Sequence, residues 1–557
     1  MLLSLLLGCP SPPAPGAGND TASTEPAITG GAEADVLFDP AVLHELVVEI
    51  APEDWEVLRH QERTIYDLLG EDCLTGPWGS PYDWFAAEVT FDGEALGAVN
   101  LRKKGFFGSL SDTRPSLKVD VDGQVEGARF HGLEKLVFNN GNQDPGRLRT
   151  CLAHQWFADA GLIAPRCALA HVVVNGEDLG VYAHTENIDE ELVARRLGGR
   201  PAEMYEGALS DFNDEFIVTF ESETDASDGA ALRAIQEALE GEESGLLSRL
   251  RAVLDLEAFL TFWAAESIAG HWDGYNGNTN NFYVYTDPES GLARFIASGP
   301  DAAFDSRTPF GYGRPPWVVT SSELSSRIWA TEEGQALYLA EVERQLDEAW
   351  QAEERLAQLD VWKDLVRELD TAEMREGMKA TREVVATKES DLRANLGGRF
   401  EVLPLLHDVC WRSAGTVNVD FSTTWGSYPN GDVFGGGEAV VAYEIDGVSY
   451  PSTQDGVTVG YNDDETALWV TISEIAPDTW LAPYLTFDVS LIADGAVIPL
   501  DGSGATGALL YMGPDTGGQW QTAAYLANGA LALEKASTVE GAVWRGALST
   551  EVMASGL

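Results

Sequence analysis

Three oxygen-bearing side chains could seat a metal ion: Asp273, in the loop HWDGYNGNTNN, and Asn281 and Asp301, which bracket two short apolar runs after it. Mg²⁺ takes oxygen ligands, keeps several waters and commonly binds through one or two protein groups plus substrate phosphates, so this sparse set suffices for a Mg²⁺-bound nucleotide. Acidic chains also place Asp and Asn in loops simply to cap helices and close turns. What separates the two cases is whether local structure brings the three together.

Phe259, Leu260, Trp263, Ser267 and Ile268 recur at helical spacing, which predicts a helix from Asp255 to Ile268, with Asp255 able to cap it and Gly270 able to end it. Asp273 then falls in a loop. NFYVYT (Asn281 to Thr286), the turn DPESG (Asp287 to Gly291) and LARFIA (Leu292 to Ala297) read as a β-hairpin. A hairpin returns to its starting end, so Asn281 and Asp301 become neighbours near Asp273. Asn278 follows Asp273 at the Asp-to-Asn spacing of protein-kinase catalytic loops.

Upstream, DPGRLRTCLAHQWFADAG reads as a helix with Asp144 at its N-cap, Pro145 in its first turn, Gly161 past its end, and Leu148, Cys151, Leu152 and Trp156 on its buried face. CALAHVVVNGEDLGVYAHTE is a hairpin about Asn175-Gly176, closed by Glu186. Earlier still, Arg102, Lys103, Lys104, Arg114 and Lys118 concentrate positive charge in a chain of net charge −55. The Debye length in physiological salt is about 8 Å, so these local cations, rather than distant carboxylates, decide whether a polyphosphate binds. In SLKVDVD, Leu117, Val119 and Val121 share one face and Lys118 takes the other, which makes Lys118 the candidate phosphate contact. A lysine so placed otherwise serves as a solvated residue or an edge guard.

From about Val47 to Leu396 the chain resembles the spore-coat protein H (CotH) kinase family. The resemblance runs through LRKKGFFGS, RPSLKVDVD, the block from LVFNNGNQDPGRLR to GLIAPRCALAHVVVNGEDLGVYAHTENID, then HWDGY with NNFYVY, and RFIASGPDAAF. It implies an α+β fold, an atypical protein-kinase-like two-lobed domain, and ATP- and Mg²⁺-dependent transfer to a Ser or Thr of a protein acceptor. By the same resemblance Lys118 contacts phosphate, Asp273 is catalytic, and Asn281 and Asp301 bind metal. Arg102 or Lys104 would assist Lys118, Gly105 and Gly108 would allow close backbone approach, and Glu186 would orient a lysine. One departure stands out: the family commonly reads Trp-Asp-x-Asp where this chain has Ser298-Gly299-Pro300-Asp301. If the first Asp of that pair carries the essential metal contact the chain is a pseudokinase; if the second does, it is active.

At 557 residues with 44% hydrophobic content, the chain can bury two or three cores, while 90 acidic against 35 basic residues exclude a nucleic-acid-binding surface. The start, MLLSLLLGCPSPPAPGAGND, carries Leu6-Leu7-Gly8-Cys9, a lipobox-like run whose Cys9 would be lipidated, followed by a Pro/Gly/Ser/Thr-rich tether. No Lys or Arg precedes the apolar run, so a short apolar tail with an incidental cysteine is the alternative. An exported lipoprotein at an outer membrane, cell surface or periplasm is the expected setting. Cys73, Cys151, Cys167 and Cys410 allow two disulfides in three pairings, or remain buried thiols, and match no zinc spacing.

The expected organisation is a signal segment over 1–9, a tether over 10–35, the kinase-like domain over 36–400 and an all-β, sandwich-like domain over 411–557. The stretch from Glu323 to Leu396 is helical and charged, whereas AVVAYEIDG, ALWVTISEI, YLTFDVSLIADG and AVWRGALS alternate between Gly, Asn and Asp turns. YNDDET and PNGDVFGGG could hold Ca²⁺ but equally read as plain turns, and DVDG at Asp120 to Gly123 lacks EF-hand spacing. Beside the kinase stands a second reading: an inactive surface lipoprotein that uses this scaffold and the β-domain for adhesion or ligand binding.

Overall fold

The computed structural model describes residues 28–67, 75–305, 320–396, 411–427, 436–462, 466–502 and 504–555. Cys9, Cys73, Cys410 and most of YNDDET and PNGDVFGGG lie outside them. Strands β1 (Leu43–Ile50), β2 (Phe85–Phe91), β3 (Glu94–Lys104), β4 (Ser116–Asp120), β5 (Lys135–Asn139), β6 (Cys167–Val174) and β7 (Glu177–Glu186) close into a barrel in the order β1-β2-β3-β4-β5-β7-β6. Closure comes from parallel pairing of β1 with β6, Leu43 opposite Leu169 through Val48 opposite Val174. Leu101, Leu117 and Val119 point into the barrel core with Leu46, Val48, Val89 and Val99. Because side chains alternate along a strand, Arg102, Lys104 and Lys118 take the other face. Arg102 sits opposite Lys118 in the β3–β4 register.

The hairpin about Asn175-Gly176 is present, with both turn residues at positive φ (50° and 79°), as a two-residue hairpin turn of the type I′ kind requires. The helix expected from Pro145 starts later, at Arg149, and runs to Asp159. Arg147 explains the delay: its φ of 61° is left-handed, so a right-handed helix cannot pass through it. Asp144 instead caps a turn, accepting from the Gly146 and Arg149 amides at 3.0 and 2.6 Å. The four residues assigned to the helix's inner face are all buried. Cys151 on this helix is disulfide-bonded to Cys167 on β6, with Cα atoms 5.1 Å apart.

The larger lobe is built on the helix Leu256–Ala269, which is mostly apolar and largely buried within one core with the helices that follow. Its termini fall within one residue of expectation: Asp255 accepts from Ala258 N at 3.1 Å, and Gly270 stops it in the left-handed region. Beside it lies a sheet of β8 (Met204–Gly207), β9 (Glu221–Ser222), β10 (Phe282–Thr286) and β11 (Ala293–Ala297), ordered β11-β10-β8-β9. The expected hairpin is β10–β11, with Phe282 opposite Ala297. Helices Glu323–Trp329, Glu332–Glu348, Ala352–Leu365 and Ala372–Asn395 complete the lobe. None of the described helices is long and apolar enough to cross a membrane.

Past residue 411 the described chain is nearly all strand, as its alternation predicts, with its own core around Trp469, Trp544, Phe421 and Leu485. The strands form one continuous 10-stranded sheet rather than two stacked ones. Curling brings the strand Gln454–Tyr461, at one end of the sheet, back beside the strand Trp411–Thr424, where Trp425 bridges Val459. The sheet touches the barrel side through Tyr66, whose hydroxyl donates to Leu526 O at 2.8 Å and accepts from Gly507 N at 3.2 Å.

Candidate active site

Asp273 is held by a fan of amides. Asn278 Nδ2 donates to its Oδ1 at 2.7 Å, Asn280 Nδ2 to the same oxygen at 3.2 Å, and Asn281 Nδ2 to its Oδ2 at 2.8 Å and to its backbone carbonyl at 3.0 Å. Asp273 is half-buried, and the surrounding protein desolvates its carboxyl enough to push its pKa up to about 6, against the pull of the three amides. Asp301 is pushed up to about 7 by burial first and then by the charges of Asp273 and Asp144. The hairpin has thus returned Asp301 to the neighbourhood of Asp273. Asn281 spends its NH₂ on Asp273, and its Oδ1 is turned toward Gly299, where an added Cβ would come within 2.4 Å of it.

The HWDGY loop owes its shape to a residue that spacing did not reveal. Glu266, buried on the helix Leu256–Ala269, accepts from Tyr275 N at 3.2 Å, Asn276 N at 3.1 Å and Asn276 Nδ2 at 2.7 Å. Burial pushes its pKa up to about 8. Gly274 is required beside it, since a Cβ there would lie 2.2 Å from Glu266 Oε1. Asp211 does the same work one layer out, accepting from Tyr275 Oη at 2.9 Å and Glu323 N at 2.8 Å. His271 completes the support, with Nε2 3.0 Å from the Ser298 carbonyl just before Gly299.

Of the five clustered cations, three face this cleft. Burial first, then the positive charge of Lys118, depresses Lys104 to about 8, while Glu206 and Asp301 oppose the shift. Its amine donates to Asn139 Oδ1 at 2.7 Å. Lys118 is lowered by burial and then by Arg102, and Arg102 by burial alone. The other two are structural: buried Lys103 donates to Arg59 O at 2.6 Å, and Arg114 to Leu179 O and Val181 O at 2.7 and 2.8 Å. Glu186 is a correction to the sequence reading. Its carboxylate is clamped by Arg166 (2.7 Å) and Arg195, so it locks the end of β7 rather than orienting a lysine. The anions that act on Lys118 are Glu206 and Glu223, from the β8–β9 region. No periodicity marked them, because their strands are only four and two residues long.

Gly105 and Gly108 lie in the turn after β3. There a Cβ on Gly105 would meet Ser109 Oγ at 2.2 Å and one on Gly108 would meet Gln143 Nε2 at 1.7 Å. Among the described residues, the group of three carboxylates near enough to share an ion is Asp120, Asp122 and Glu134, with Asp120 at the end of β4, two residues past Lys118. Lys135 and Arg129 already neutralise it, at 3.1 Å from Asp120 and Asp122 respectively. The Asp273–Asn281–Asp301 set suits a hard cation better: its side-chain oxygens are the ligand type such a cation takes, the charge of Asp273 raises the cost of charging Asp301, and among the described residues no basic side chain is hydrogen-bonded to either carboxyl.

A family model described as CotH kinase protein matches residues 101–393, more than half of the chain. Inner spore coat protein H of Bacillus subtilis (strain 168) is 25% identical over 193 residues, covering 31% of this chain and 51% of that protein, so the chain spans about half the length of this curated relative. A crystal structure of the Helicobacter pylori proinflammatory kinase CtkA aligns at 10% identity and a TM-score of 0.25, covering 53% of this chain and 96% of that one.

Proposed function

The chain belongs to the CotH kinase protein family, and from that premise we propose that it is an ATP- and Mg²⁺-dependent protein kinase acting on Ser or Thr hydroxyls of an exported or surface protein. The family carries the kinase-like function; the cofactor, acceptor and setting are our reading. The support that carries it is that Lys104, which lies on the barrel with Lys118, is near enough to Asp301 of the larger lobe for that charge to act on it, which favours a shared cleft for cations and carboxylates.

In this reading Lys118, Lys104 and Arg102 bind the nucleotide phosphates. Asn281 Oδ1 and Asp301 would hold Mg²⁺, which when bound supplies positive charge to the phosphate oxygens. Asp273 accepts the proton of the acceptor hydroxyl as its oxygen bonds to the γ-phosphorus and the bond to the β–γ bridging oxygen breaks, releasing ADP. The amide fan holds that carboxylate still. The Cys151–Cys167 disulfide supports an oxidising, exported setting, and lipidation of Cys9 would anchor the chain to a membrane, with the curled sheet as a binding or spacing module.

The second reading, an inactive surface lipoprotein used for adhesion or ligand binding, is favoured by Gly299 in place of a family carboxylate. Purified protein incubated with labelled ATP and Mg²⁺ should label itself or a casein-like acceptor, and Asp273→Ala and Lys118→Ala should abolish the signal. Equal labelling by wild type and Asp273→Ala removes the kinase reading. A thermal-shift titration separates the alternatives, because ATP with Mg²⁺ at 100 times its Kd stabilises by about 2.7 kcal/mol and an adhesion scaffold shows no shift.

A further inference from the structure

Residues 75–84 run between the two lobes before entering β2. Trp78 Nε1 donates to Ala208 O, just past β8 of the larger lobe, at 2.7 Å. The barrel side is joined by other bonds. Tyr82 Oη donates to Gly105 O at 2.8 Å, and the buried Arg63 donates to the carbonyls of Trp78 (3.4 Å) and Gly79 with its guanidinium 4.7 Å over the Phe106 ring. The segment is therefore tied to both walls of the cleft.

Its remaining contacts converge on Arg102. Arg102 Nη1 donates to Ser80 Oγ at 3.2 Å, and its guanidinium lies 4.6 Å over the Trp84 ring. Its Nε is buried with no hydrogen-bond partner. A buried guanidinium donor without an acceptor is costly, and a stacked, singly tethered Arg presents its free edge in one orientation, which suits a phosphate oxygen.

We propose that residues 75–84 form an inter-lobe strap that positions Arg102 for the anionic ligand of the cleft, with Trp78 as its pin to the larger lobe and Ser80 and Trp84 as the positioning residues. This rests on the nucleotide reading above. The strap raises affinity by fixing the Arg102 fork before the ligand arrives, so its loss is felt in nucleotide binding rather than in turnover at saturation.

The full chain is titrated calorimetrically with ATP in Mg²⁺, and amide exchange over 75–84 is followed in parallel. Trp78→Phe, which keeps an aromatic ring and loses the N–H with part of the indole, should weaken ATP about three- to tenfold and speed exchange of the segment. Trp84→Ala should weaken ATP to a similar degree while Trp84→Phe, which retains the stack, binds as wild type, and KM should rise with kcat unchanged. If Lys118→Ala weakens ATP and the strap variants do not, the strap is overturned and the nucleotide reading stands. If wild type binds no ATP, the nucleotide reading falls and takes the positioning role with it. Equal exchange in wild type and Trp78→Phe overturns the pin whatever the nucleotide does.

Discussion

Replacing Gly299 by Asp restores the family's first carboxylate, and the structure sets what that change costs. Gly299 has φ 52° and ψ 40°, a left-handed conformation in which a side chain costs on the order of 1–2 kcal/mol, somewhat less for Asp. The new Cβ would lie 2.4 Å from Asn281 Oδ1 and 2.7 Å from its Cγ, so Asn281 must turn. Turning forfeits its bonds to the Asp273 carboxylate and carbonyl at 2.8 and 3.0 Å, each worth about 0.5–1.5 kcal/mol net. Together these predict that Gly299→Asp without metal is about 2–4 kcal/mol less stable, a fall in midpoint of roughly 5–15 °C for a lobe of this size. Gly299→Ala is the control, with the same clash and no charge. Scanning fluorimetry with and without Mg²⁺ reads both: Mg²⁺ should return part of the loss to Gly299→Asp and nothing to Gly299→Ala. A Gly299→Asp midpoint within about 1 °C of wild type in the absence of Mg²⁺ would refute the steric argument. Identical Mg²⁺ responses of the two variants would refute a place for a residue 299 carboxylate beside the metal.

His184 is wholly buried, stacked 4.6 Å from both Phe38 and Phe138, and burial depresses its pKa from 6.5 to about 3. A base depressed on folding leaves stability intact above its unfolded pKa and removes it as pH falls, here between pH 6.5 and 3. The loss at pH 4 comes to about 3 kcal/mol. His184→Phe, which continues the stack, should shrink the acid sensitivity of urea unfolding by about that amount; an unchanged pH profile counts against neutral burial of this ring. The Cys151–Cys167 bridge closes a 16-residue separation and should contribute about 3 kcal/mol, measurable as a lower urea midpoint after reduction or in the Cys151→Ala/Cys167→Ala pair. A midpoint unmoved by reductant would mean that the bridge does not form.

The elements nearest the chemistry were the most legible. The helix before Asp273 announced itself by an apolar period with Asp255 and Gly270 at its ends, and β10–β11 by two apolar runs around a turn. What sequence could not deliver was tertiary. Arg147 carries no mark of positive φ, so the capping pattern starts the helix after it four residues early. Glu186 sat at a strand end near the basic cluster, and only the fold shows Arg166 and Arg195 claiming it. Glu266 hides among the buried apolar residues of its helix, where a carboxylate looks like noise until three donors converge on it. Residues 75–84 have no period at all; their order comes from individual hydrogen bonds to Arg63, Arg102 and Gly105 on the barrel side and to Ala208 of the other lobe.

The bridge between Cys151 and Cys167 has a mechanical meaning. Its helix is also riveted to the larger lobe, by Trp156 Nε1 on Ala265 O at 2.9 Å and Asp159 on Arg355 at 2.9 Å. One rod is thus welded to the barrel and bolted to its opposite wall. A rod held at both walls opposes swinging as a lever, so opening of the two halves must strain or break these ties. Breaking the weld would hand the molecule a degree of freedom that it lacks in oxidising surroundings.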